Sequence, residues 1–343
     1  MRLQALKTRA LVAMHRKLGT FSNSVMTYDG SALNEGAGAQ LHRVLGVFAL
    51  SRAIGASYFH TPVQNIGYRG VPGTFDPDQG QVLAELRHLA PLSHDENAKD
   101  LATRARVVNV RDATLAELQR EAGTKATPTL FKVLLPFRVL DRVPSFWSAL
   151  RDALAVAEAP GRKAIRIAVH VRRGDVHFID RSRLLPNSYY IGVLRRLTKI
   201  CRTIGLDYTI DLFSESVAPG TILTLGGAAP GEANRSFLVD KDMDNFRAFD
   251  EVGPIAYRIN EDLLVTMNAM READILISSK SSLSMVAGLL QKQGTVLFHP
   301  FWHAALPHWI QTSPSGEFDA SRMAGVLVEL KKRAVAAPAV VLG

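Results

Sequence analysis

Two adjacent arginines at the end of an apolar strand have the clearest chemical meaning in this sequence. The stretch IAVHVRRGDVHFID, residues 167–180, begins as a buried strand and then turns at a glycine, with His170, Arg172, Arg173 and Asp175 within six residues. A guanidinium presents a rigid fork of N–H donors that matches the oxygens of a phosphate. The pattern predicts an anion site; the alternative is that both arginines form surface ion pairs with neighbouring aspartates.

The positive charge of the chain is concentrated around this stretch. Between residues 162 and 202 there are eleven lysines and arginines against two aspartates, an excess that equals the formal net charge of +9 of the whole chain. A basic patch built around a strand end favours an anionic ligand: a nucleotide, a sugar nucleotide or a nucleic acid.

A run of serines follows a second strand, in the stretch ISSKSSLSMVAG. Serines at this place cap the helix that begins there, and the free N–H groups of a helix N-terminus also receive phosphate. A pyrophosphate held between the arginine loop and the serine loop is the simplest account of both strand ends. The serines concerned are Ser278, Ser279, Ser281 and Ser282.

Strands and helices alternate through the second half of the chain. AIRIAVHV, DYTIDLFS, DILISS and TVLFHP read as strands, separated by amphipathic helical stretches. This alternation predicts a parallel, doubly wound sheet, in which ligands bind beyond the carboxyl ends of the strands. PGRKA, at 160–164, reads as a joint between an acceptor-side domain, 1–159, and a nucleotide-binding domain, 160–343.

The first half contains a glycine-rich loop, NEGAGAQLHR, ahead of an apolar helical pattern that Gly55 closes. A strand, ASYFHTP, follows. The spacing of Gly36 and Gly38 does not satisfy the dinucleotide-binding fingerprint, and no convincing strand precedes the loop. Residues 92–126 read as a polar helical insertion.

Composition sets the remaining limits. The 343 residues, 47% of them hydrophobic, suit a globular chain of two domains without a membrane span. The basic N-terminal stretch, residues 1–19, predicts a surface helix or a peripheral contact with anionic lipid. The single cysteine, Cys201, excludes an intramolecular disulfide, reads as core filler and suggests a reducing, cytoplasmic setting.

Four stretches together resemble the GDP-fucose-dependent fucosyltransferases, as a divergent member. HVRRGD is similar to their donor-binding motif, and DLFSES at 211–216 to a strand-end motif of the α-1,2 enzymes. DILISSKSSLSMVAGLL at 274–290 is similar to their serine-rich third motif, and the glycine-rich loop to their entrance loop. The tryptophans that usually follow the third motif are replaced here by Ser284, Met285 and Val286, which leaves the acceptor and linkage open.

The resemblance implies a GT-B-like α/β fold, with two Rossmann-like domains facing a cleft. It also implies an inverting, metal-independent transfer of fucose from GDP-fucose to a glycan hydroxyl, with no cofactor. Arg172 would neutralise the departing diphosphate, and Glu35 or Asp180 would act as base, ahead of Asp175; His177 and His60 are further candidates. The implied donor site comprises His170, Arg172, Arg173, Asp175, Gly36, Gly38, Ser214, Ser279, Ser281 and Ser282.

Three alternatives to a fucosyltransferase stay open. One is a transferase of another GDP-sugar, because a phosphate site says little about the sugar. A second is a nucleic-acid-binding protein, which predicts exposed aromatics among the basic residues, whereas Tyr189 and Tyr190 read as helix packing. A third is an inactive module that binds a phosphosugar. We predict a donor and a glycan acceptor as partners, no nucleic acid, and no metal, because DKDMD at 240–244 reads as a solvated loop.

Overall fold

The chain folds into two compact units. The computed structural model describes residues 2–30, 35–64, 66, 79–122, 127–154, 164–174, 176–225, 235–239, 244–291 and 293–336. Within these ranges the first unit comprises the residues up to 154, and the second those from 164 onward, except that Trp302–Pro307 group with the first unit. The predicted joint at 160–164 lies outside the described residues apart from Ala164.

The first unit contains a four-stranded parallel sheet with the order β2-β1-β4-β3. Helices occupy the connections between the strands. The strands are β1 (Ser24–Tyr28), β2 (Ser57–Tyr58), β3 (Arg106–Asp112) and β4 (Thr129–Leu135), and the helices are α1 (Arg2–Lys17), α2 (Ala37–Ile54), α3 (Gln79–Leu89), α4 (Ala98–Thr103), α5 (Leu115–Glu121), α6 (Phe137–Leu140) and α7 (Ser148–Ala153).

Helix α2 is the core helix of the first unit, because most of its residues are buried. Its end at Gly55 agrees with the prediction. Gly55 takes a left-handed conformation, with φ of 79°, and its N–H donates to the carbonyl of Ser51. The left-handed conformation is energetically unfavourable for a residue with a side chain, so glycine is the usual residue at this place.

Two strands of the first unit correct the sequence analysis. A strand does precede the glycine-rich loop: β1 is buried along its whole length, so it lacks the apolar–polar alternation that marks a half-buried strand. The segment 92–126 is not a helical insertion, since β3 lies within it as the edge strand, beside β4. An edge strand with only one deeply buried side chain, Val110, carries little hydrophobic signal.

The second unit contains a six-stranded parallel sheet with the order β12-β11-β10-β5-β6-β9. A separate antiparallel hairpin, β7 with β8, lies outside it. The strands are β5 (Ile165–Val171), β6 (Tyr208–Ser214), β7 (Ile222–Leu225), β8 (Arg235–Leu238), β9 (Ala256–Ile259), β10 (Ile275–Ile277), β11 (Thr295–Phe298) and β12 (Ile310–Gln311), and the helices are α8 (Val176–Ile179), α9 (Asn187–Thr203), α10 (Leu263–Arg271), α11 (Ser282–Leu289) and α12 (Ala320–Ala336).

The core of the second unit forms where α9 packs on the sheet. Tyr189, Tyr190 and Cys201 of α9 lie in this core with the strand residues Ile167 and Val169. The tyrosines therefore pack inside, as predicted. Burial also raises the pKa of the Cys201 thiol to about 11, which suits a core residue better than a nucleophile.

Two parallel sheets with helical connections confirm the predicted α/β class and the two Rossmann-like units. In the described part of the chain, no helix is both long enough and apolar enough to cross a membrane.

Candidate functional site

The strand order of the second sheet creates a switch point between β5 and β10. The chain leaves β5 through α9 to its neighbour β6 and later β9, whereas β10, on the other side of β5, leads through α11 to β11. Numbered within the unit, the strands lie in the order 3-2-1-4-5-6 of dinucleotide-binding sheets. Ligands bind in such sheets outside the carboxyl ends of the two strands at the reversal. The arginine loop follows β5 and the serine loop follows β10.

A buried hydrogen bond joins the end of β5 to the serine loop across the switch point. Nδ1 of His170 lies 3.1 Å from the hydroxyl of Ser279, and both side chains are buried. Burial, assisted by the nearby positive charge of Arg172, lowers the pKa of His170 to about 3. The imidazole is therefore neutral at physiological pH and links β5 to the serine loop by a hydrogen bond.

Arg172 lies at the carboxyl end of the central strand β5, in the loop directly after it. Its side chain is 13% exposed, and Nη1 lies 3.3 Å from Oε2 of Glu215, which follows β6 and is one-third exposed. Arg172 thus combines partial burial with access to solvent. The contact with Glu215 holds the guanidinium at the carboxyl ends of the strands.

Arg173 lies inside the unit, although it adjoins Arg172 in sequence. Its Nε contacts the buried carboxylate of Asp244 at 3.3 Å, its Nη2 donates to Asn187 at 2.5 Å, and its Nη1 donates to a backbone carbonyl at 2.8 Å. The guanidinium also lies 6.0 Å from the ring centroid of Tyr190. All three nitrogens of Arg173 therefore have partners within the protein.

Serine hydroxyls build the loop between β10 and α11. Ser281 is the N-cap of α11, and its hydroxyl accepts from the N–H of Leu283 at 3.2 Å. The hydroxyl of Ser284 lies 3.3 Å from the carbonyl of Ser279 and accepts from its N–H at the same distance. Ser282 is the first residue of the helix and is half-buried. These bonds fix the direction of the α11 N-terminus, whose first N–H groups have no acceptor within a helix.

Ser214, at the end of β6, joins two strands at the same edge. Its hydroxyl donates to the carbonyl of Val171, the last residue of β5, at 2.7 Å. The bond is buried and fixes the backbone from which Arg172 extends. Ser214 is thus placed as a support of the arginine loop.

Asp180 caps a short 3-10 helix, Arg181–Arg183, in the second unit. Its Oδ1 accepts from the Ser182 hydroxyl at 2.6 Å and from the Ser182 N–H at 3.0 Å, and the hydroxyl contact is the main reason that the pKa of Asp180 is lowered. Lys280 of the serine loop donates to the carbonyl of Ser182 at 2.9 Å. A carboxylate with a lowered pKa accepts a proton less readily, which weakens Asp180 as a general base.

The remaining predicted residues belong to the first unit. Glu35 is one-third exposed and pairs with Arg43 of α2, with Oε1 2.7 Å from Nη2. Gly36 is the N-cap of α2 with φ of −67°, a conformation open to any residue, and Gly38 lies buried in the first turn. The structure therefore places these glycines at the start of a helix and gives neither a left-handed turn.

Asp175 lies outside the described residues. The acidic stretch 240–244, expected to be a solvated loop, is described only at Asp244, and that residue is buried instead. Its side chain is 2% exposed and contacts both Arg173 and Nε2 of His177, the latter at 3.0 Å. The other candidate histidine, His60, bonds the hydroxyl of Tyr58 at 2.9 Å through Nδ1. Among the described residues, no three His, Cys, Asp or Glu side chains form a metal site.

Three residues of the candidate site were not among the predicted ones: Glu215, Asn187 and Asp244. Glu215 directly follows Ser214, so its place after β6 was readable from the sequence. Asn187 and Asp244 contact Arg173 from 14 and 71 positions away in the chain, and no local pattern reveals such pairings.

Several solved glycosyltransferases are similar in structure. POFUT1 in complex with GDP matches with a TM-score of 0.39 and 13% identity, over 79% of this chain and 95% of that chain. The E. coli heptosyltransferase WaaC with ADP matches with a TM-score of 0.33 and 12% identity, over 91% and 99%. NodZ α-1,6-fucosyltransferase soaked with GDP-fucose matches with a TM-score of 0.30 and 12% identity, over 86% and 97%.

No protein-family model and no curated protein sequence matches this chain. Structural similarity at these identities and TM-scores does not assign an activity.

Proposed function

We propose that the protein is a glycosyltransferase that moves a sugar, fucose from GDP-fucose, to a hydroxyl group of a glycan. One observation carries the proposal: the switch point of the second sheet has Arg172 on one side and the N-terminus of α11 on the other. Both are donors to anionic oxygen, and a diphosphate is the anion that such a crevice accepts.

Arg172, rather than Arg173, is assigned to the diphosphate. Arg173 already bonds Asp244, Asn187 and a backbone carbonyl, and a phosphate would have to displace these contacts. Arg172 keeps partial exposure and has a one-third exposed carboxylate as partner, which a phosphate can replace at lower cost. Arg173 is assigned to hold the arginine loop in place.

The chemistry follows from the charge that develops. The bond between the anomeric carbon and the diphosphate oxygen breaks, the acceptor oxygen bonds that carbon from the opposite face, and the acceptor loses a proton. Arg172 and the α11 N-terminus stabilise the charge that grows on the departing diphosphate. Because these groups supply the positive charge, the proposal includes no metal.

Glu35 is our candidate for the group that accepts the proton. Its carboxylate is one-third exposed and paired with one arginine, whereas Asp180 is committed to capping and its pKa is lowered. The choice of guanine and of fucose rests on the resemblance of HVRRGD and DLFSES to the fucosyltransferase motifs. Another GDP-sugar on the same frame is the second candidate.

Donor binding is tested by calorimetric titration with GDP, GDP-fucose, GDP-mannose, UDP and a single-stranded oligonucleotide. We expect binding of the GDP species and weak or no binding of UDP. A folded protein that binds the oligonucleotide and none of the nucleotides would overturn the proposal in favour of nucleic-acid binding. Tighter binding of GDP-mannose than of GDP-fucose would assign mannose, rather than fucose, as the transferred sugar.

A transfer assay tests the proposed reaction: the protein is incubated with GDP-fucose and a panel of glycans, and the release of GDP is measured. Glu35→Gln is expected to lower kcat by about 100-fold or more without weakening GDP binding, since general-base catalysis contributes on that scale. Asp180→Asn is the matched control, with activity close to that of the wild type. The reverse result would move the base to Asp180, and retained anomeric configuration in the first product would exclude inversion.

A further inference from the structure

The N-terminal helix exposes an apolar face. Leu3, Leu6, Leu11, Met14 and Leu18, here called the α1 stripe, are between 44% and 70% exposed. At about 100° per residue, Leu3, Leu11 and Met14 fall within an arc of about 80° on one side of α1, and Leu6 lies about 60° beyond Leu3. Leu18, the residue after α1, continues the helical turn through a bond from its N–H to the carbonyl of Met14 and falls within the same arc. Isolated exposed leucines are ordinary on protein surfaces, but a run along one helix face marks an interaction site.

A neighbouring face of α1 is fixed to the first unit. Thr8, Val12 and His15 are buried there. Nδ1 of His15 lies 3.1 Å from the hydroxyl of Thr20, and its ring packs edge-on against Phe21 at 5.8 Å. The helix is therefore held by one face, and the α1 stripe is the surface that it presents to the outside.

The charge around the stripe selects among possible occupants. Helix α1 has no acidic residue, and Lys7, Arg9, Arg16 and Lys17 are all exposed. Lys7 is four residues after Leu3 and Lys17 is three after Met14, so both lysines lie on the side of the stripe. A second copy of this chain would bring the same positive face against it, which like-charge repulsion disfavours.

We propose that the α1 stripe docks on an anionic lipid surface. The leucines and the methionine would enter the boundary between headgroups and acyl chains, and the lysines would extend to the phosphate groups above them. Anionic headgroups attract each nearby lysine, whereas zwitterionic headgroups do not. The inference does not depend on the proposed transferase activity.

Flotation of the full chain with lipid vesicles tests this proposal. We expect the protein to bind vesicles of phosphatidylcholine with phosphatidylglycerol and not vesicles of phosphatidylcholine alone. The triple variant Leu3→Gln, Leu6→Gln, Met14→Gln is expected to lose about tenfold or more of this affinity, because the apolar contact is removed. Val265→Gln with Val328→Gln, exposed aliphatic residues of the second unit, is the matched control.

The charge contribution has its own pair of variants. Lys7→Gln with Lys17→Gln should weaken binding to anionic vesicles by about fivefold per lysine. Lys99→Gln with Lys199→Gln, which are exposed elsewhere, should leave it unchanged. Because the substituted side chains are exposed, we expect unchanged thermal unfolding.

Three results would overturn the proposal. They are equal binding to both kinds of vesicle, no binding to either, and wild-type binding by the stripe variant. A concentration-dependent dimer of the wild type that the stripe variant does not form would assign the stripe to a second copy of the chain.

Discussion

The carboxyl edges of the two sheets use arginine differently. Beyond β5 in the second sheet, Arg172 lies 3.3 Å from Oε2 of Glu215, and the neighbouring strand β10 leads to the serine-capped N-terminus of α11. Beyond β1 in the first sheet, Arg43 is 11% exposed and contacts Glu35 at 2.7 Å, and no hydroxyl caps α2, whose N-cap is Gly36. Each arginine thus pairs with a carboxylate that is one-third exposed, at a shorter distance in the first sheet, and only the second edge adds a serine-capped helix N-terminus. We therefore expect the second edge, and not the first, to bind an anion.

This difference leads us to expect that the partners of an arginine, more than its presence, decide whether a strand end binds an anion. The same rule separates the neighbours Arg172 and Arg173 within one loop. Arg173 is surrounded by a buried aspartate, an asparagine and a carbonyl, so its charge stabilises the loop. Arg172, in the same loop, pairs instead with the one-third exposed carboxylate of Glu215.

The largest expected effect concerns the buried member of the arginine pair. Arg173→Leu leaves the carboxylate of Asp244 buried without its main cation, and breaking a buried pair in this way costs about 3–5 kcal/mol of unfolding free energy. Urea unfolding would measure the loss. Arg172→Leu, at the partly exposed pair, should change stability by about 1 kcal/mol or less.

A double substitution separates lost charge from lost packing at this position. Arg173→Leu with Asp244→Leu removes both charges, and it should recover part of the stability that Arg173→Leu loses. If Arg173→Leu instead unfolds like the wild type and no longer binds GDP, the assignments of the two arginines are reversed.

The next effect compares the two sheet edges directly. Arg172→Ala should weaken GDP binding by about 10- to 100-fold, because hydrogen bonds to charged groups contribute on this scale. Arg43→Ala, at the edge whose arginine is already compensated, should leave GDP affinity unchanged. Calorimetry measures both, and a comparable loss in Arg43→Ala would show that the first edge also binds the diphosphate.

The link across the switch point has a pH signature. The pKa of His170 is about 3 in the folded protein and near 6.5 when unfolded, so the unfolded chain binds the extra proton between these values. Stability from a neutral His170 is therefore present above pH 6.5 and is lost as the pH falls. The loss is on the order of 2 kcal/mol by pH 5.

His170→Asn measures this contribution by difference. Asparagine keeps a polar atom near Ser279 and does not titrate, so the stability gap between wild type and variant should shrink between pH 7 and pH 5 in urea unfolding. Other buried histidines, such as His42, affect both proteins equally. A gap that stays constant with pH would mean that His170 is not buried as a neutral imidazole.

The sequence predicted the second unit more fully than the first for a physical reason. Strands β10 and β11 are short apolar runs, and β5 and β6 alternate polar and apolar residues before a buried end. Strand β1 has mixed residue types, with Ser24 and Thr27 buried among apolar neighbours, so its burial depends on the surrounding sheet. Local pattern cannot report that environment.

The candidate site shows the same limit. The order of motifs brought His170, Ser214 and Ser279 to one edge, because parallel strands end on the same side. The different environments of Arg172 and Arg173 could not be predicted, because the main partner of Arg173 is Asp244, which is distant in sequence. Glu35 lies in the other unit, and its role as base remains a prediction.

The smallest expected effect comes from two helix caps, one in each unit. The hydroxyl of Ser281 caps α11 beside the proposed diphosphate site, and that of Thr114 caps α5 in the first unit, with both accepting from a backbone N–H at 3.2 Å. Ser281→Ala and Thr114→Ala should each cost about 1 kcal/mol of stability, as lost N-caps do.

The two caps should differ once GDP is present. Ser281→Asp keeps a capping oxygen but puts a negative charge where the diphosphate would bind, so it should retain stability better than Ser281→Ala and still weaken GDP binding. Thr114→Asp should retain both stability and affinity. Unfolding and calorimetry on these four variants distinguish a helix N-terminus that binds the ligand from one that is only capped. If Ser281→Asp binds GDP as the wild type does, the diphosphate does not contact α11, and Arg172 alone would mark its place.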